Sequence, residues 1–145
     1  MIRSIKEGPK KKYVGIDIGS VSVKVVLINE DREVLENHYV RAHGQPLETV
    51  LIVLKEIFNR IEKNEIAGIA ATGSGGKLLA DIIDISFINE IVAQSTATSI
   101  LHPEVRTVIE IGGEDSKLIM LEPDEANGNN LKVSDFSMNT MCAAG

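Results

Sequence analysis

The chain has 145 residues, 43% of them hydrophobic, with 21 acidic residues against 15 basic ones and a formal net charge of −6. That length suffices for one domain or one and a fraction with a buried core, and no apolar run approaches the roughly 20 residues that span a bilayer, so a cytoplasmic protein without a membrane partner is expected. Scattered basic residues and a 3% aromatic share exclude nucleic acid as the main partner, and a single cysteine excludes an internal disulfide and cannot by itself complete a zinc or iron–sulfur site.

Residues 1–12 read as a solvated tail: Lys10-Lys11-Lys12 is basic, but the apolar segment of a secretory signal is lacking. Three strands follow, Tyr13–Ile18, Val21–Ile28 and Glu33–Arg41, joined by Gly19-Ser20 and by the polar turn Asn29-Glu-Asp-Arg32. Pro46 suits the first turn of a helix running to Lys63, and Leu47, Val50, Leu51, Leu54, Ile57, Phe58 and Ile61 recur at helical spacing, a stripe that should lie across the sheet. A further strand, Ile66–Ala71, ends in Thr72-Gly-Ser-Gly-Gly76, with a short helix over Lys77–Ile83. Asn89 is a candidate N-cap for a helix through Leu101, which His102-Pro103 ends. The pattern then restarts with strands Val105–Ile111 and Ser116–Leu121 around Gly112-Gly113, a loop over Glu122–Asn130, and a strand at Leu131–Phe136.

A three-strand opening therefore occurs twice. Two such units imply two lobes facing each other across a cleft: an α/β fold with a first lobe at 13–104 and the start of a second, truncated one at 105–145. On this reading the chain is the N-terminal part of a longer one.

The two openings share a chemical design. Tyr13-Val-Gly-Ile-Asp-Ile-Gly-Ser-Val-Ser-Val-Lys24 and Val108-Ile-Glu-Ile-Gly-Gly-Glu-Asp-Ser-Lys117 each carry a carboxylate near the end of an apolar strand, then glycine and hydroxyl residues, then a lysine on the next strand. Glycines let backbone N–H groups approach anionic oxygens, serines add donors, and a carboxylate holds a hydrated magnesium ion against phosphate. Asp17 in an apolar strand resists the reading of a plain Asp-x-Gly turn, because an unpartnered buried carboxylate is costly. Thr72–Gly76 reads better as a strand-to-helix turn than as a third phosphate loop, since the Walker lysine–hydroxyl pair is lacking. His38, His43 and His102 share no ligand spacing. Cys142, in Met138-Asn-Thr-Met-Cys-Ala-Ala-Gly145, reads two ways: a small buried hydrophobe, or a thiolate at a helix N-terminus.

The two hairpins, Asn89-Glu-Ile-Val-Ala-Gln94, His102-Pro-Glu-Val-Arg106 and the segment Met138–Gly145 together resemble the activator ATPases of 2-hydroxyacyl-CoA dehydratases, in one family with the ATPase subunits of benzoyl-CoA reductase. The resemblance covers nearly everything after Lys12. It implies the ribonuclease H-like, actin-like ATPase fold shared by acetate kinase, sugar kinases, Hsp70 and actin. It also implies a cytoplasmic homodimer that binds ATP and Mg2+, holds one [4Fe-4S] cluster between its subunits, accepts an electron from a ferredoxin or flavodoxin, and passes it to a CoA-ester dehydratase or reductase. Nucleotide would close the lobes and move the helix that starts near Cys142.

Carried onto this sequence, the resemblance makes Asp17, Glu110 and Glu114 the catalytic carboxylates, with Asp17 and Glu110 holding magnesium through water. Gly19, Ser20, Ser22, Lys24, Gly112, Gly113, Asp115, Ser116 and Lys117 would bind the nucleotide, and Cys142 matches the first cluster cysteine. Glu110 and Glu114 depart from the usual Asp-Ile-Gly-Gly-Gln-Asp-Ser-Lys. Segments around Tyr39–Glu48 and Phe136–Cys142 look most like activator domains within very large fused proteins. Two other readings use the same residues: a small-molecule kinase of this fold, which leaves the Cys142 segment unexplained, and a nucleotide-sensing scaffold without turnover, which Glu110 and Glu114 make conceivable.

Overall fold

The computed structural model describes residues 10–112, 115–128 and 130–139. They divide into two compact units with the boundary between Phe87 and Ile88.

In the first unit, strands β1 (Lys12–Ile18), β2 (Ser22–Asn29) and β3 (Val34–Arg41) form antiparallel pairs. Alternation sets their two faces: Val14, Ile16 and Ile18 of β1 and Val23, Val25 and Leu27 of β2 are buried, and the register pairs them across the ladder. Asp17 is opposite Lys24 in the same register and so belongs to the other face. The β2–β3 turn closes where expected, with the Asn29 side chain accepting from Glu33 N at 2.9 Å and donating to its carboxylate at 2.7 Å.

Helix α1 (Pro46–Phe58) carries the chain across the sheet to β4 (Ile66–Thr72), which runs parallel to β1, and the short β5 (Ser86–Phe87) pairs with β4 to complete a five-stranded sheet ordered β3-β2-β1-β4-β5. The buried face of α1 is Val50, Val53, Leu54 and Ile57, packed on the β1–β2 core. The expected stripe is thus right in period and rotated in detail: Leu47 and Ile61 pack at its margin, Leu51 is 54% exposed and Phe58 39%, and Val53 joins instead. The helix stops at Phe58, short of Lys63. Beyond it Arg60 N bonds Ile57 O, and the Arg60 guanidinium turns to Glu36 of β3 at 2.5 Å, which favours a tight return over a further helical turn.

In the second unit, helix α3 (Glu90–Leu101) packs on a three-stranded antiparallel sheet of β6 (Thr107–Ile111), β7 (Ser116–Asp124) and β8 (Asn130–Asn139). Asn89 caps α3 as expected, accepting from Ile91 N at 2.9 Å. Ile119, Leu121 and Leu131 are buried against Ile91, Val105, Val108 and Val133, and Ser99 of α3 accepts from Leu131 N at 2.8 Å. Compactness groups α3 with this unit, whereas the sequence reading grouped it with the first lobe. The expected loop at Glu122–Asn130 starts later than read: β7 continues through Pro123, opposite Leu131, to Asp124, and a single 3-10 turn over Glu125–Asn127 follows. A proline is tolerated there because β6 pairs with β7 only as far as Met120, so the absent N–H faces no ladder partner. Among the described residues no helix is long and apolar enough to cross a membrane.

Candidate functional site

The β1–β2 hairpin presents Asp17 beside its glycine turn. Gly19 N donates to Ser22 O at 3.0 Å and closes the turn, leaving Ser20 exposed at its tip while Ser22 is buried at the start of β2. Lys24 Nζ donates to Asp17 Oδ2 at 2.9 Å and also sits 5.9 Å from the centroid of the Tyr39 ring. Both partners of the ion pair are partly open to solvent, at 43% for Lys24 and 40% for Asp17. An exposed pair of this kind is weak and easily exchanged. A phosphate at the turn could therefore take the lysine without dismantling the fold.

A second loop is stitched to the same place. After Thr72, Gly73 adopts φ +83°, Gly75 N donates to Ile18 O at 3.0 Å, and Ser74 Oγ donates to that oxygen at 3.4 Å. A Cβ on Gly73 would lie 2.5 Å from Asp17 Oδ1 and 2.6 Å from Ile18 O, so glycine is required both by the left-handed backbone and by the carboxylate's closeness. Helix α2 (Gly76–Ile83) starts directly afterwards. The strand-to-helix turn read from sequence is thus present, and it also forms a wall beside Asp17.

The β6–β7 hairpin repeats the plan with a different electrostatic outcome. Glu110 is opposite Lys117, and Gly112 N donates to Asp115 O at 2.8 Å across the turn. Lys117 is 4% exposed, with Nζ at 2.7 Å from Asp115 Oδ1, 3.4 Å from Glu90 Oε1 and 3.6 Å from Glu110 Oε2. Burial alone would lower its pKa. The bond to Asp115 and the charges of Glu110 and Glu90 outweigh burial and hold the ammonium above its ordinary value. A depression of about 250 Å³ beside the hairpin is lined in part by Ser116, Lys117, Ser137 and Met138. A depression of about 480 Å³ between the end of α1 and the start of β4 involves none of the residues expected at the site.

Each hairpin thus brings its own acid, glycine, hydroxyl and lysine together: Asp17, Gly19, Ser20 and Lys24 in the first unit, and Glu110, Gly112, Asp115, Ser116 and Lys117 in the second. Gly113, Glu114 and Cys142 lie outside the described residues. Sequence reasoning missed Glu90, whose position at the start of α3 reads only as a favourable helix N-terminus, and the part Gly73 plays beside Asp17. The sequence carries no signal of its own for Gly73, because its role depends on β4 lying beside β1.

Residues 14–145 match the BadF/BadG/BcrA/BcrD ATPase family. The chain belongs to that family. Similar to it is the (R)-2-hydroxyglutaryl-CoA dehydratase activating ATPase of Acidaminococcus fermentans, 32% identical over 135 residues, with 91% of this chain and 48% of that protein covered. Among solved structures, component A of the (R)-2-hydroxyglutaryl-CoA dehydratase of Acidaminococcus fermentans superposes with a TM-score of 0.72 at 31% identity, covering 92% of this chain and 49% of that one. The activator of the 2-hydroxyisocaproyl-CoA dehydratase from Clostridium difficile with bound ADPNP gives a TM-score of 0.71 at 25% identity, covering 91% and 47%. The chain spans about half the length of the curated relatives it matches. The fold is accordingly the actin-like, ribonuclease H-like ATPase fold expected from sequence.

The donor set decides what kind of magnesium site the family's chemistry would find here. Among the described residues no group of three or more histidine, cysteine, aspartate or glutamate side chains converges as a cage. Magnesium does not need one: it keeps several waters and is commonly held by one or two carboxylates together with substrate phosphates. Asp17, partly exposed and given room by Gly73, fits that role.

Proposed function

We propose that the full-length protein is an ATP-hydrolysing activator of a CoA-ester dehydratase or a related CoA-ester reductase. The observation that carries this reading is the repeated acid–glycine–lysine hairpin, with Lys24 on Asp17 at 2.9 Å and Lys117 at 3.6 Å from Glu110, in a chain of an ATPase family. Three relatives are named as activators of 2-hydroxyglutaryl-CoA, 2-hydroxyisocaproyl-CoA and lactoyl-CoA dehydratases, and an activator of the 2-hydroxyisocaproyl-CoA dehydratase was solved with ADPNP bound, which supports the same ligand class here.

In this reading Ser20 and the Gly19 turn approach the phosphates of ATP, and Asp17 holds the hydrated magnesium that accompanies them. Lys24 is released from Asp17 to the phosphate oxygens. On the second hairpin, Gly112, Gly113 and Ser116 offer donors to phosphate, with Asp115 steadying Lys117, and Glu110 and Glu114 are the remaining acids available to water and metal. Bound [4Fe-4S] would supply one-electron chemistry at low potential. Cys142 is the residue of this sequence that would ligate it. Two copies of these 145 residues supply two of the four thiolates a cubane usually takes. The partners proposed are a second subunit, a ferredoxin- or flavodoxin-class donor, and the dehydratase.

The test is phosphate release and iron content in the full-length protein. Turnover of ATP together with a brown, dimeric protein whose iron is lost in Cys142→Ala, with ATP binding retained, is expected. A colourless protein that transfers phosphate to a small molecule would replace this reading with that of a kinase.

A further inference from the structure

Thr72 Oγ1 is buried and has no hydrogen-bond partner among the described residues. A buried hydroxyl left unmatched is unfavourable, and native structures keep few of them without a reason. Its surroundings supply one. Thr72 is the last residue of β4, and the parallel register places it directly beside Asp17 of β1. Ile16 and Ala71, the preceding register pair, are both buried on the α1 side, so by alternation Asp17 and Thr72 share the opposite face. The next residue, Gly73, already comes so near to Asp17 Oδ1 that a Cβ there would lie 2.5 Å away. Meanwhile Asp17 Oδ2 is occupied by Lys24, a half-exposed cation free to leave.

We infer that Thr72 is a positioning residue for Asp17: its hydroxyl donates to the Asp17 carboxylate when Lys24 turns to the nucleotide, and so fixes the carboxylate for the hydrated cation. The inference rests on the proposed phosphate role of the β1–β2 hairpin. In the structure Lys24 neutralises Asp17 and the Thr72 hydroxyl stands idle. Once Lys24 departs, the carboxylate needs another donor, and the idle one is already in register with it. A donor that carries no charge orients the carboxylate without cancelling the charge that attracts the cation.

The experiment is a magnesium titration of ATP binding to the full-length protein and its Thr72→Val and Thr72→Ser variants, with melting measured in the absence of nucleotide. Valine keeps the shape and removes the hydroxyl. Thr72→Val is expected to raise the half-saturating magnesium concentration about tenfold, the scale of one hydrogen bond to a charged group, while metal-free ATP affinity stays unchanged and the melting temperature is unchanged or higher. Thr72→Ser should titrate like the parent. A Thr72→Val protein that titrates like a parent that binds Mg-ATP overturns the inference and leaves the hairpin reading standing. Equal losses with and without magnesium, accompanied by a lower melting temperature, likewise overturn it in favour of a packing role. A parent that binds no Mg-ATP overturns the hairpin reading itself, and this inference with it.

Discussion

The β1–β2 and β6–β7 hairpins are written in nearly the same residues, yet their lysines live in different worlds. Among the described residues Lys24 has one carboxylate partner and stands half in solvent, whereas Lys117 is buried among Asp115, Glu110 and Glu90. The cause is the neighbour each strand meets. Asp17 and Lys24 occupy the sheet face opposite α1, whereas Lys117 alternates with Ile119 and Leu121 on the buried side of β7, and α3 contributes Glu90 to it. The same motif therefore makes an exchangeable cation in one unit and a fixed structural one in the other.

Removing each lysine should separate the two roles most sharply. Lys117→Met leaves three carboxylates facing one another around the lost ammonium and is expected to destabilise the second unit by about 3 kcal/mol. Lys24→Met should change the stability of the first unit by less than about 1 kcal/mol. Amide exchange read separately on β7 and on β2 checks both, and equal effects would erase the distinction.

The glycines sharpen the comparison at intermediate size. Gly73→Ala puts a side chain at φ +83° and against Asp17 and Ile18, and should cost about 2–3 kcal/mol. Gly112→Ala would meet Asp115 O at 3.2 Å on a backbone outside the left-handed region, and about 0.5–1 kcal/mol is expected. Chemical denaturation of the two variants compares them.

The smallest effects are those of pH, and they differ in sign. Glu36 is lowered from 4.5 by its bonds to Arg60 and His38, so its contribution to the first unit is complete above pH 4.5 and fades as pH falls through the lower folded value. Lys117 is raised above 10.5, so its contribution to the second unit is complete below pH 10.5 and fades as pH climbs through the higher folded value. Acid should loosen β3 first and alkali β7 first in pH-resolved amide exchange. Glu36→Gln should flatten the acid response alone.

Period and punctuation made most of this fold legible. Apolar alternation in Val14, Ile16 and Ile18, the Asn29 turn, Pro46 and the Asn89 cap each act within a few residues, and each element they predict is present. What escaped depends on partners distant in sequence. Val53 replaces Leu51 on the core because the sheet selects the helix face; α1 ends at Phe58 where Arg60 finds Glu36; Pro123 extends β7 because β6 has already ended. At the site, the acids, glycines and lysines of both hairpins were readable as motifs. The burial of Lys117 by α3 and the wall of Thr72 and Gly73 beside Asp17 were not, since a sequence does not display which strand lies alongside which.

The central claim is that Asp17 holds a hydrated cation against phosphate at the β1–β2 turn. Calorimetry of ATP binding to the full-length protein and to Asp17→Asn, each with and without magnesium, tests it directly. The claim predicts a large loss of Mg-ATP affinity in the variant with metal-free ATP affinity little changed. Equal losses under both conditions would contradict it and make Asp17 a structural partner of Lys24.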